Sequence, residues 1–379
     1  MTDKEERTLV MRVLMTCGGT GGHINPAIAI ANTIKENIPD AEILFVGTKR
    51  GKESELVPRA GYRLEFVESE GIRRSLSPAN IRALYRALVS PYAARPLIRD
   101  FAPDLVVGTG GYACWPVLKG ASMLGIPCAV HESNAIPGMA VKRLQKSVDK
   151  ILINFDKTRE YIVKKDKIVR VGNPLSSGFS TMEKDAAREK HGIPQDGLCV
   201  LSYGGSGGAE FLNSIAVDVM KAYISSHPDI TFIHAAGARD YPATRARFEE
   251  MGLGNCENIR LMEYIYDMPE YMAAADVVIC RAGAMTISEL SMMKKACVMI
   301  PSPNVVDNHQ YKNAKVLSDA GAACLLEEDG LDAETLWSHL EGLLYDGRKR
   351  RAQEDAISAF ADRDANQHIF EELMKIARR

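Results

Sequence analysis

The sequence predicts an α/β protein made of two doubly wound, Rossmann-like domains facing each other across a cleft. Two observations carry that reading. Short apolar runs rich in valine and isoleucine recur along the chain, each followed by a turn signal and a helical pattern, as parallel strands joined by crossover helices require. The runs are 10–15, 42–46, 64–67, 104–107, 128–130, 151–153 and 168–171, then 198–202, 230–234, 259–263, 276–280, 296–300 and 324–326. The second observation is a repeated opening, in which a strand, a glycine-rich turn and a helix start occur near residue 10 and again near residue 198.

Length agrees, because 379 residues exceed one ordinary core. Gly172-Asn173-Pro174 and the polar stretch 176–190 read as a hinge followed by a helix. The domains are therefore expected at 1–172 and 173–354, with a C-terminal helix from about 355 to 379 packing back on the first. A net charge of −2 argues against bulk electrostatic binding of nucleic acid. The eight cysteines include no C-x-x-C pair, which points to buried thiols in a reducing cytoplasm and not to disulfides or zinc ligands. Residues 1–7 are charged and polar, so no secretory signal is expected. No apolar run approaches the ~20 residues of a membrane span, and any membrane contact should be peripheral.

The candidate chemistry lies at strand C-termini, where open α/β sheets hold their ligands. The first turn, Gly18-Gly19-Thr20-Gly21-Gly22-His23, offers backbone N–H groups to an anion and adds an ionisable imidazole. It departs from the dinucleotide fingerprint, since Gly19-x-Gly21 is followed three residues on by Ile24. Taken alone it suits a phosphate-bearing ligand or a plain structural turn. A second glycine turn, Gly108-Thr109-Gly110-Gly111-Tyr112, follows the strand at 104–107, and His131-Glu132-Ser133-Asn134 ends the strand at 128–130. In 280–290 a strand ends and a helix is expected to begin near Thr286, whose first-turn amides suit a diphosphate. Glu289 would then face two vicinal hydroxyls, although Thr286 and Glu289, three apart, equally fit a helix capping box. The amide- and histidine-rich stretch 301–314 suits a neutral sugar.

Taken together, GGTGGHINP at 18–26, GTGGY at 108–112, HESNAIPG at 131–138, VGNP at 171–174, GGSGGA at 204–209, RAGAMTISEL at 281–290 and DNHQYKNA at 307–314 resemble the MurG family across nearly the whole chain. The resemblance implies the GT-B fold and transfer of N-acetylglucosamine from UDP-N-acetylglucosamine to lipid I (undecaprenyl-diphosphoryl-MurNAc-pentapeptide), giving lipid II. No prosthetic group or tightly bound metal is implied. For the donor, it assigns the main chain of Ile265 to uracil and Glu289 to the ribose hydroxyls. Ser206, Ala284, Met285, Thr286, Ile287 and Ser288 would line the nucleotide and its diphosphate. Gln310 and Asn134 would hold the sugar, and Thr20, Gly21 and Gly22 would approach from the opposite wall. Gly18, Gly19, Gly110, Gly111 and Tyr112 would cradle the acceptor diphosphate. The chain departs from the family at Ser176, where an arginine is usual, at Gly207 and Ser133, where glutamine is common, and at Trp115, often glycine.

The reaction needs a proton acceptor for the attacking hydroxyl. His23 is the first choice and His131 the second, because histidine ordinarily titrates near neutrality. A helix opening at Ser77-Pro78 would carry Ile81, Leu84, Tyr85 and Leu88 on one face, flanked by Arg82 and Arg86, with Arg73 and Arg74 nearby. That pattern suits anionic lipids of the inner leaflet, with Trp115 as a further anchor and the cytoplasmic face of the membrane as the location. It equally fits a core-facing helix with solvated arginines. Other cell-wall enzymes are further candidate partners. Rival readings are another GT-B UDP-sugar enzyme such as an epimerase, a nicotinamide-dependent oxidoreductase, and a silent UDP-sugar sensor.

Overall fold

The computed structural model describes residues 10–68, 78–305 and 308–378, and only the backbone for 78–87. The chain divides into two compact units, one of Met1–Ser176 with Asp364–Arg379 and one of Ser177–Arg363. In the first, β1 (Arg12–Thr16), β2 (Glu42–Gly47), β3 (Arg63–Phe66), β4 (Leu105–Gly108), β5 (Cys128–Glu132), β6 (Lys150–Ile153) and β7 (Ile168–Arg170) alternate with α1 (Gly21–Asn37), α2 (Glu53–Arg59), α3 (Pro78–Phe101), α4 (Cys114–Met123) and α5 (Met139–Leu144). The sheet is seven-stranded, in the order β3-β2-β1-β4-β5-β6-β7, with parallel pairing throughout.

The second unit opens with α6 (Gly178–Thr181) and α7 (Lys184–His191). It continues through β8 (Leu198–Tyr203), α8 (Glu210–Ala222), β9 (Ile230–Ala235), α9 (Tyr241–Glu250), β10 (Ile259–Met262), α10 (Met268–Ala274) and β11 (Val277–Cys280). It closes with α11 (Ala284–Met293), β12 (Ala296–Met299), α12 (His309–Asp319), β13 (Cys324–Leu325), α13 (Ala333–Leu344) and α14 (Gly347–Ser358). Its parallel sheet runs β10-β9-β8-β11-β12-β13. The two sheets wind alike, and each reverses direction beside its first strand, at β1/β4 and at β8/β11. Helices cover both faces, so the central strands are apolar end to end. Leu105, Val106 and Val107 are all fully buried, as are Val277 and Val278.

The unit boundary falls four residues past the expected one. Asn366 explains the first side of it: its Oδ1 accepts from Leu175 N at 3.0 Å and its Nδ2 donates to Leu175 O at 2.8 Å, which holds the chain beyond Pro174 on the first unit. On the other side, buried Asp276 accepts from Lys184 Nζ (2.6 Å), Arg188 Nη2 (2.7 Å) and Cys199 N (2.8 Å), tying α7 to the second sheet. The expected long C-terminal helix is two. α14 stays with the second unit, and α15 (Ala365–Met374) packs on α1 of the first.

Candidate active site

In the first unit the site grows from the switch point between β1 and β4. The loop leaving β1 enters α1 at Gly21 with extended Thr20 as the capping position; no side chain caps this helix, and no acidic residue lies in its first turn. The loop leaving β4 crosses it closely. A Cβ on Gly111 would run into the Gly18 carbonyl, and one on Gly110 would sit 2.5 Å from His23 Nδ1. Both glycines have positive φ, +109° at Gly110 and +87° at Gly111, so glycine is required there for conformation and for space. Cys114 fastens the crossing, its Sγ lying 3.2 Å from Thr16 O and 3.1 Å from Gly110 N. Burial pushes that thiol up to about 12, so it stays protonated.

His23 is held twice by Thr109. Its Nδ1 lies 3.0 Å from the Thr109 carbonyl, and the Thr109 hydroxyl donates back to the His23 carbonyl at 2.6 Å. A carbonyl only accepts, so Nδ1 carries the proton of the neutral ring and Nε2 keeps the lone pair. Further along the sheet, Glu132 organises the turn after β5: one oxygen accepts from Asn134 N (2.9 Å) and Nδ2 (3.1 Å), the other from Gly138 N (2.7 Å).

In the second unit the corresponding switch point lies between β8 and β11. The loop after β8, Gly204 to Gly208, leads into α8, and α11 starts directly after β11 at Ala284, with extended Gly283 as its capping position. The turn between them is pinned from two sides. Asn313 Nδ2 donates to Ala282 O at 3.2 Å, while Arg281 donates to Ile300 O at 2.8 Å and pairs with Glu328. Glu289 projects inward from the second turn of α11 and is buried; desolvation alone raises its carboxyl to about 7. The buried hydroxyl of Tyr203, at the end of β8, is pushed well above its ordinary range by burial and then by the charge of Glu289. On α12, Gln310 Oε1 accepts from Ser302 N at 2.9 Å, which commits its oxygen and leaves its NH2 as the donor side.

The model of the glycosyltransferase family 28 N-terminal domain matches residues 13–153, and that of the C-terminal domain matches 199–369. The UDP-N-acetylglucosamine--N-acetylmuramyl-(pentapeptide) pyrophosphoryl-undecaprenol N-acetylglucosamine transferase of Acetivibrio thermocellus is 40% identical over 97% of this chain and 98% of its own length. This chain belongs to the MurG family. The equivalent transferase of a Thermoanaerobacter species is 37% identical over 97% of the chain and all of its own length. Among solved structures, MurG of Acinetobacter baumannii superposes with a TM-score of 0.68 at 26% identity, covering 96% of this chain and 99% of that one. A Neisseria meningitidis UDP-GlcNAc 2-epimerase superposes nearly as well (TM-score 0.67, 96% of this chain and all of that one), but at 13% identity the likeness is one of fold alone.

Several expected site residues of this MurG-family chain sit where the motifs suggested, each within its own unit. Gly18, Gly19, Thr20, Gly21, Gly22, His23, Gly110, Gly111 and Tyr112 gather at the first switch point, with Tyr112 exposed. Ala284, Met285, Thr286, Ile287, Ser288 and Glu289 form the first two turns of α11, while Ser206 lies in the loop after β8 and Ile265 is buried between β10 and α10.

Other expectations change. α11 begins two residues earlier than Thr286, and no side chain caps it, so the capping-box reading of Thr286 and Glu289 fails. His131 is wholly buried; its Nε2 lies 2.8 Å from Gly172 O, its Nδ1 has no hydrogen-bond partner among the described residues, and burial lowers it to about 4. That placement counts against His131 as a base and makes it a fastener between β5 and Gly172. Trp115 is only partly exposed and packs on the core of the first unit. Arg73 and Arg74 lie outside the described residues; Ile81, Arg82, Leu84, Tyr85 and Arg86 are helical in backbone, and Leu88 is exposed.

Sequence reasoning passed over three contributors: Thr109, Arg281 and Glu53. Thr109 stands inside a motif whose glycines draw the eye, and Arg281 precedes a helix start read for Thr286 and Glu289. For Glu53 the sequence offers only a faint signal, a carboxylate shortly after Gly47-Thr48 and Gly51 in the turn that follows the second strand.

Proposed function

We infer that the chain transfers N-acetylglucosamine from UDP-GlcNAc to the muramyl 4-hydroxyl of lipid I with inversion, giving lipid II. The observation that carries the chemistry is the commitment of His23 Nδ1 to the Thr109 carbonyl, which in the neutral ring leaves the Nε2 lone pair as the proton acceptor. Beside it, the glycine loops after β1 and β4 supply main-chain donors to the acceptor diphosphate. The second unit holds the donor. The partial positive charge at the start of α11, which has no acidic residue in its first turn, stabilises the charge developing on the departing UDP. Glu289 accepts from the ribose hydroxyls, the Ile265 main chain reads uracil, Ser206 lines the nucleotide, and Gln310 donates to the sugar.

Transfer of labelled N-acetylglucosamine to a lipid I analogue tests this directly. Labelled lipid II and one equivalent of UDP are expected. An altered sugar nucleotide formed without acceptor would identify an epimerase instead.

The location follows the acceptor: the cytoplasmic face of the membrane, reached peripherally. Among the described residues no helix is long and apolar enough to cross a membrane. On α3, Leu88 and Tyr92 are 62% and 57% exposed and stand four apart, on one helical face, with Val89 beside them. Neutralising Arg73, Arg74, Arg82 and Arg86 together with Leu88→Ser is expected to reduce co-sedimentation with anionic liposomes by about tenfold or more. Undiminished binding would return α3 to the reading of a core-facing helix with solvated arginines.

A further inference from the structure

We propose that Glu53 is a positioning residue for the reaction, holding the loop from which His23 springs; the proposal rests on the transferase reading above. Glu53 is the first residue of α2, and its side chain is wholly buried. One oxygen accepts from Gly19 N at 2.9 Å, and the other accepts from Thr48 N at 2.8 Å and Thr48 Oγ1 at 2.7 Å. Glycines make the space for it. A Cβ on Gly18 would lie 3.1 Å from Oε1, one on Gly47 would lie 2.5 Å from Cγ, and one on Gly51 would collide with Oε2.

Burying a carboxylate is costly unless its oxygens are fully used. Three donors, two of them on the β2–α2 turn and one on the loop after β1, use them here. The contact with Gly19 is the informative one. Gly19 has φ +91°, which turns its amide inward onto Glu53, and the next residue, Thr20, starts α1 by accepting from His23 N (3.0 Å) and Ile24 N (3.2 Å). Glu53 therefore sets the root of the His23 loop on one side, and Thr109 sets the ring on the other. A carboxamide cannot replace the carboxylate. Its single oxygen can serve Thr48 or Gly19, and its NH2 would then oppose an N–H at the other.

The test compares Glu53→Gln with Thr48→Val, which removes one of the three donors but leaves the bond to Gly19. Glu53→Gln is expected to lower kcat by about tenfold to 100-fold at saturating substrates, because a small misplacement of a catalytic group is enough for that. Its affinity for UDP-GlcNAc, held mainly by the second unit, should fall by far less than kcat, and amide exchange over residues 17–23 should quicken. Thr48→Val should keep its kcat within about twofold, with slow exchange over the same segment. Wild-type exchange in Glu53→Gln, or an equal loss of kcat in both variants, would overturn the proposal. Should Glu53→Gln not fold, Glu53→Asp takes its place: it keeps the charge but is one methylene too short to span Thr48 and Gly19, and full kcat in it would overturn the proposal. The exchange measurement needs no turnover, so a wild-type protein that makes no lipid II defeats the transferase reading while loop protection still decides the role of Glu53.

Discussion

His23→Ala is expected to lower kcat by about 10²- to 10⁴-fold, the range over which a positioned acid or base contributes to proton transfer. Binding of UDP-GlcNAc should stay within about threefold of wild type, because loss of a group that acts only in the transition state leaves ground-state binding alone. The geometry sharpens the expectation. Thr109 holds the ring by its Nδ1 proton, so the reactive nitrogen is Nε2. His23→Gln can offer an amide oxygen near the Nε2 position but cannot take up a proton, and it should be as slow as His23→Ala. Steady-state rates with a lipid I analogue, together with calorimetric titration of UDP-GlcNAc, would check both halves. An unchanged kcat in either variant removes His23 from the mechanism.

The second large effect concerns Glu289 and pH. Burial raises its carboxyl to about 7, so in the free protein it is half protonated near neutrality. Two ribose hydroxyls donate best to an ionised carboxylate, so the bound form favours deprotonation, and binding releases a proton wherever the free group holds one. The sign follows: affinity is full above about 7 and falls as pH drops below it. Between pH 8 and pH 6 the dissociation constant should rise about tenfold, the factor for a group titrating near 7 that binds only when ionised. UDP-GlcNAc suits the measurement because its esterified diphosphate does not titrate in that window. The neighbouring groups Tyr203 and Cys280 are both raised far above it by burial, and so stay neutral. Glu289→Gln should bind about tenfold to 100-fold more weakly at pH 8, the worth of hydrogen bonds to a charged acceptor, and should lose the pH dependence. A pH-independent wild-type affinity would show that Glu289 does not face the ribose.

The strand runs were legible because each is a local property. An apolar stretch of four to six residues ending in glycine, such as 104–107 before Gly108, reports its own burial without reference to the rest of the chain. The glycine turns were legible for the same reason, since a left-handed backbone at Gly110 and Gly111 admits few other residues. Helix starts were less so: Gly283 caps α11 with its backbone alone, and a threonine three residues later looks like the better cap on paper. The C-terminal break is not visible in the sequence because 355–379 keeps a helical composition across 359–364, where the chain passes from one unit to the other.

By itself, then, the sequence determined the strands, the order of the glycine turns and, through that order, the family. Only the tertiary structure decided how the histidines differ. His131 and His23 both stand beside strand ends, yet one is sealed against Gly172 and the other is held by Thr109 with one nitrogen left to accept a proton. The partners lie 41 and 86 residues away in the chain. Which nitrogen is spent, and which carboxylate is buried, depends on contacts that form only when distant turns meet at the end of a sheet.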